Sequence, residues 1–269
     1  MIARTSQACA LAALCFLATV DLSTGAHAGE CPTPGSEIAT DRPDVTNSSL
    51  VVPVGSLQNE NGINTTGHGS QNTIDGTNSR WRLGVAPCLE ILVDLPNYVG
   101  SLKGGADSGF SDVAPAIKYQ FSSLPEQWNL SMTAGAGLPT GSARITGPGI
   151  QPYLQFPWSH ELGGGWGTDG MLTTFFSPAN PINRMTTEMT FAVEKKLAEK
   201  VSVFVEYVGD YPDRGSSTSL LNVGGNYLLT RTQQVDFHLA FGLNHNSPDY
   251  IFGIGYSFRL DGLFHASTR

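Results

Sequence analysis

The stretch NSRWRLGVAPCLEILVDLPNYV, residues 78–99, alternates in two halves around Ala86-Pro87-Cys88. Before the turn, Trp81, Leu83 and Val85 share one parity, and Arg80, Arg82 and Gly84 share the other. After it, Leu89, Ile91, Val93 and Leu95 share a face opposite Glu90, Leu92 and Asp94. Successive side chains of a strand point to opposite faces, so this reads as a hairpin with one continuously apolar face and one that carries charge. Two architectures fit. In a soluble sandwich the apolar face is the core and the charged face is wet. In a transmembrane barrel the apolar face meets lipid and the ionic face lines the lumen.

The rest of the chain repeats the pattern. Strands with period-two alternation are expected at 112–121, 128–138, 150–158, 166–176, 184–195, 201–210, 219–229, 235–244 and 250–260, with a weaker one at 56–66 followed by a polar loop to about Thr77. Pro152 and Pro157 weaken the strand at 150–158 as a central one. The parity of 166–176 is ambiguous, because Met171 and Phe175 compete with Leu172 and Phe176. With the opening hairpin this makes about twelve strands, each near the 9–11 residues that a tilted membrane strand needs. Connections after the even-numbered strands are short. The early odd-numbered ones, including loops at 100–111 and 139–149, are longer and rich in Gly, Asn and Ser. That alternation is the topology of an outer-membrane barrel with both termini in the periplasm. The four tryptophans, Trp81, Trp128, Trp158 and Trp166, fall near strand ends, where interfacial girdles would put them. The fold class expected is therefore all-β, a transmembrane antiparallel up-and-down barrel spanning 56–260.

The ends of the chain are different. Arg4, the apolar run Ala8–Val20 and Ala26-His27-Ala28 make an export signal over 1–28. Residues 29–55 are rich in Pro, Ser, Thr and Asp and suit a periplasmic segment or a plug, and 261–269 form a tail. Loss of the signal removes Arg4 and Asp21, so 14 basic and 22 acidic residues remain and the net charge stays at −8. An acidic chain without a Lys/Arg block is a poor match for nucleic acid. The signal also takes Cys9 and Cys15, leaving Cys31 and Cys88 to pair in an oxidising compartment or to remain as thiols.

Thr40–Gly62 (TDRPDVTNSSLVVPVGSLQNENG) resembles the opening of outer-membrane proteins of the phenol-degradation meta-pathway type. The likeness continues through RWRLGVAPCLEILVDLP at 80–96, Gly109-Phe110-Ser111-Asp112, Ile117-Lys118-Tyr119 and LPTGS at 138–142. The resemblance implies an outer-membrane β-barrel that passes small, hydrophobic or aromatic compounds. The partners expected are outer-membrane lipid, a small solute and, during biogenesis, the barrel-assembly machinery; no cofactor or metal is expected.

Parity places Arg80, Arg82, Glu90, Asp94, Lys118, Glu188, Glu194, Glu206, Asp210, Asp236, His238 and Arg259 on the lumen side. A basic residue on the lipid face at mid-depth would cost roughly 2–4 kcal/mol, so these must point inward if the chain is a barrel. They form either a self-neutralising network or, given seven carboxylates against four Lys/Arg, a path biased toward cations or polar neutral solutes. Asp41, Arg42 and Asp44 are candidates for a plug, with Arg42 paired to Glu90 or Asp94; the alternative is an unstructured leader. Enzyme signals are weak. His68, His160, His238, His245 and His265 lack metal-ligand spacing, and Asp236 and His238 share a face without a nucleophilic serine assigned to them. The expected function is a passive outer-membrane channel and not an enzyme. A lipid-modifying outer-membrane hydrolase and a soluble periplasmic β-sandwich binding protein stand as alternatives.

Overall fold

A computed structural model gives the fold of residues 31–122, 124–125 and 127–264; the signal expected at 1–28 and the tail beyond residue 264 lie outside the described residues. All described regular structure is β. The strands are β1 (Leu57–His68), β2 (Gln71–Ala86), β3 (Leu89–Asp94), β4 (Tyr98–Lys103), β5 (Gly109–Phe110), β6 (Ala114–Gln120) and β7 (Trp128–Gly137). They continue with β8 (Gln151–Gly163), β9 (Trp166–Phe176), β10 (Met185–Ala198), β11 (Val201–Pro212), β12 (Thr218–Thr230), β13 (Gln233–Gly242) and β14 (Tyr250–Leu260). Each wall strand pairs antiparallel with its neighbours, and β1 pairs with both β2 and β14, so the sheet closes on itself. Closure leaves no free edge among the wall strands, as a lipid-embedded sheet requires. The result is a barrel of twelve strands, with β4 and β5 continuing β3 and β6 toward the outer rim past irregular stretches at 95–97 and 111–113.

Burial is inverted relative to a soluble protein. Ile63, Ile117, Phe191, Val205, Phe237 and Ile254 stand outward and are 47–54% exposed, whereas Arg82, Glu90, Glu206 and Lys118 are at most 1% exposed. An apolar exterior around an ionic interior excludes the soluble-sandwich alternative. All four tryptophans lie toward the periplasmic end of their strands. Trp128 and Trp166 are first residues of β7 and β9, and Trp128 stacks on His160 with ring centroids 4.2 Å apart.

Several sequence expectations change. The polar loop assigned up to Thr77 is strand: β1 and β2 form a long hairpin closed by Gly69-Ser70. Asn59, Asn61, Thr65 and Thr77 break the apolar alternation there, so periodicity could not reveal it. The loop at 100–111 is likewise partly strand, as β4 and β5. Pro157 is tolerated because the β7–β8 pairing lapses between Leu130↔Trp158 and Thr133↔Gln155, so it has no partner on that side; Pro152, second in β8, pairs with Ala136 of β7 and has no partner on β9. The parity of β9 resolves with Met171 and Thr173 buried inward and Leu172 exposed outward.

Candidate functional site: the lumen and the segment inside it

The N-terminal segment enters the barrel from the periplasmic end. Cys31 and Cys88 form a disulfide, Cα atoms 5.4 Å apart, which ties the segment to the tight turn between β2 and β3. Arg259, near the end of β14, donates to the carbonyls of Ser36 (2.7 Å) and Glu37 (3.2 Å), and Ile38 N–H donates to the Arg231 carbonyl at 2.8 Å. From Thr40 the chain crosses the lumen, and it returns through Val54, which bridges to Gly84, before β1 begins. The segment has almost no regular structure of its own. Its backbone donors are met instead by wall side chains, as buried amides require.

One set of those side chains centres on the arginines of β2. Arg82, fully buried, gives Nε to Glu90 (3.0 Å), Nη1 to Glu60 (3.1 Å) and Asp41 (3.3 Å), and Nη2 to the Leu50 carbonyl (2.8 Å). Arg80 pairs with Asp94 (2.6 Å) and Asp41 (2.8 Å). Lys118 lies 3.6 Å from Asp41 and 3.9 Å from Glu90, and it also donates to the Ser48 carbonyl. Glu90 in turn accepts Val52 N–H at 2.6 Å. Asp41 of the segment thus sits among three wall cations.

A second attachment lies across the barrel. Glu206 of β11 accepts the N–H groups of Val45 (3.0 Å) and Thr46 (2.8 Å), the Thr46 hydroxyl (2.8 Å) and the Asn222 amide (2.9 Å). Asn47 and Ser49 reach Gln155 and Ser159 of β8. Arg42 takes neither of its expected partners, Glu90 and Asp94, since both are held by the β2 arginines. It pairs with Asp236 of β13 at 3.2 Å. Its guanidinium lies against Gly62 and Gly255, register partners on β1 and β14; a Cβ at Gly255 would stand 2.5 Å from Arg42 Nε. Glycine in a strand marks such a close approach.

The other predicted lumen residues are accounted for as follows. Asp210 accepts from Thr218 at 2.9 Å, and Glu188 and Glu194 face the lumen on β10. His238 hydrogen-bonds Asn222 (3.2 Å) and Asn64 (3.3 Å), not Asp236. The base-and-orienter arrangement considered for a hydrolase is therefore not formed. Sequence reading missed Glu60, which lies on the strand with poor alternation, and Asp169, which lies on the one with ambiguous parity. It also missed the cluster of Asp75, Asn78 and Asn97, where Asn78 donates to Asp75 at 2.7 Å and Asn97 to Asn78 at 2.7 Å.

Two polar cavities flank the segment. The outer one, about 380 Å³, is bounded by Asp41, Asn64, Arg80, Asp94 and Asn97 among others. The inner one, about 220 Å³, is bounded by Thr46, Ser159, Asp169, Glu194 and Asn226. Arg42, Asp44 and Asn47 line both, so the segment is the partition between them.

Outside the membrane, Asp112 gathers the loop between β7 and β8. Its carboxylate accepts the N–H groups of Thr140 (3.0 Å), Gly141 (2.8 Å) and Gly147 (3.0 Å) and the Thr146 hydroxyl (2.7 Å). Slight burial pushes its pKa up, but these donors outweigh that and hold it below the ordinary carboxylate value. The motifs at 109–112 and 138–142 are thus in direct contact.

A closed barrel with lipid-facing apolar residues, an ionic lumen and a periplasmic N-terminal segment is an outer-membrane β-barrel. More particularly, the chain belongs to the family described as the putative MetA-pathway of phenol degradation, whose model matches residues 40–260. Its fold is similar to that of an outer membrane channel from Pseudomonas putida F1, at 15% identity and TM-score 0.63, covering 78% of this chain and 97% of that one. It is also similar to the NanC porin, at 10% identity and TM-score 0.55, covering 76% and 100%. No curated protein matches it by sequence.

Proposed function

We propose that the protein is a passive outer-membrane channel for small molecules, narrowed by its own residues 38–54. The observation that carries this is the partition: one segment, ion-paired to β2 and hydrogen-bonded to Glu206 of β11 across the barrel, lies between two polar cavities of the lumen. Hydrophobic and aromatic permeants, which the family's description suggests, would meet a lining of carboxylates, guanidinium groups and amides. That lining favours polar solutes, because each apolar group entering it would displace water from charged surfaces without replacing their hydrogen bonds. The channel reading is preferred to a hydrolase because the only histidine buried in the lumen among the described residues is held between two asparagines.

Planar-bilayer conductance tests the reading. Removal of residues 32–50, with heat-modifiable migration confirming a folded barrel, is expected to raise single-channel conductance several-fold. Equal conductance with and without the segment would overturn its role as the constriction, and silence from both would overturn the channel.

A further inference from the structure

Every Lys or Arg named here as facing the lumen has an acidic partner: Arg42 has Asp236, Arg80 has Asp94 and Asp41, Arg82 has Glu60 and Glu90, Lys118 has Asp41 and Glu90, and Arg259 has Asp261. The converse does not hold. Asp44, Asp169, Glu188, Glu194 and Asp210 have no basic group within 4.0 Å among those residues. They are also gathered on one side, on β9, β10 and β11 and the part of the segment that faces them.

The register sets out their order. Near the outer end, Thr173, Glu188, Asp210 and Thr218 are successive partners across β9, β10, β11 and β12, a rung of four oxygen-bearing side chains. Glu194 lies six residues along β10, about 20 Å at the rise of a strand. There the carboxylate oxygens of Asp44, Asp169 and Glu194 lie within 4.8 Å of one another, beside the inner cavity. Glu206, between these levels, is taken up by the segment.

Two observations besides the carboxylates point to an occupant. Thr173 is fully buried on the lumen face next to Glu188, and its Oγ1 has no hydrogen-bond partner. Asp169 Oδ1 is a second buried oxygen without one. Unpaired buried oxygens are costly, and like charges directly opposite on neighbouring strands destabilise a sheet. Thr218 donates to Asp210 at 2.9 Å, but among the described residues no basic group on the surrounding elements is left to offset the charge: Arg42 is committed to Asp236, and His238 to Asn64 and Asn222. A set of carboxylate and hydroxyl oxygens suits hard cations such as K⁺ or Ca²⁺.

We propose that the lumen prefers cations, conducting them along the carboxylates of β9–β11, with Thr173, Glu188, Asp210 and Thr218 as the outer step. The proposal rests on the channel reading above and adds the sign of the permeant. Its test is the reversal potential of the refolded protein in a KCl gradient, repeated with the double variant Glu188→Gln/Asp210→Asn and with Glu199→Gln in an exposed periplasmic turn as a charge control. The expected result is a K⁺ preference that falls several-fold in the double variant and not in the control, together with Ca²⁺ block of the wild type that the double variant relieves. A conducting protein that prefers Cl⁻, or whose selectivity the double variant leaves unmoved, overturns this inference alone. A barrel that conducts nothing overturns the channel reading, and this inference with it.

Discussion

Arg82 shows what a charge in the wall of this barrel has to satisfy. A guanidinium offers five N–H donors in a fixed fork. Here they meet Glu60, Glu90, Asp41 and the carbonyls of Ala39 and Leu50, with no exposed surface left on the side chain. A buried ion pair is not stabilising by virtue of being buried, since desolvation offsets much of the attraction; removing one partner is what costs, because the other charges remain. Arg82→Met leaves three carboxylates facing Arg80 and Lys118 alone. The expected loss is about 3–5 kcal/mol, read as a lower urea midpoint for the heat-modifiable band. Arg82→Lys restores the charge without the fork and should recover only part of it. A midpoint unchanged in Arg82→Met would mean that the network contributes nothing to stability.

At the scale of an element, the loop between β7 and β8 gathers around one side chain. Asp112 holds four of its donors, and its pKa lies below the ordinary carboxylate value. A carboxyl whose folded pKa is depressed contributes fully above its unfolded value, 3.8, and loses the contribution as pH falls through the lower folded one. The loop is therefore expected to stay anchored at neutral pH and to loosen only in strong acid. Asp112→Ala should loosen it at neutral pH, seen as faster hydrogen exchange at Thr140, Gly141 and Gly147 while the amides of β7 and β8 stay protected. Equal exchange at all of them would remove Asp112 as the anchor. This loop also marks how far sequence reading reaches. The strands with an apolar face, β3, β10, β11, β13 and β14, were legible because lipid selects every second residue. The hairpin β1–β2 was not, because Asn59 and Asn61 stand on its outer face and bond to Ser79 and to each other. Nor was the partner of Arg42, which depends on a pair of glycines 193 positions apart that meet only when the barrel closes.

For the whole molecule, two kinds of constraint can be separated. The barrel closes through the β1–β14 ladder, which runs from Leu57↔Leu260 to Gly67↔Tyr250, and that closure does not involve residues 31–55. The segment is instead held at its start by the disulfide and by Arg259, and along its length by Asp41, Arg42 and Thr46. The disulfide joins positions 57 apart, and a cross-link of that span acts mainly by restricting the freedom of the chain between its ends. Between its ends lie the segment and the first hairpin, of which only the hairpin is otherwise fixed by ladder hydrogen bonds. Losing the cross-link should therefore be felt by the segment first. In the double variant Cys31→Ser/Cys88→Ser, heat-modifiable migration is expected to survive, while cleavage by a Glu-specific protease after Glu37 becomes faster than in the oxidised wild type. Loss of the folded band would instead make the disulfide a requirement of barrel assembly. Unchanged cleavage would mean that the ionic contacts inside the lumen hold the segment without it.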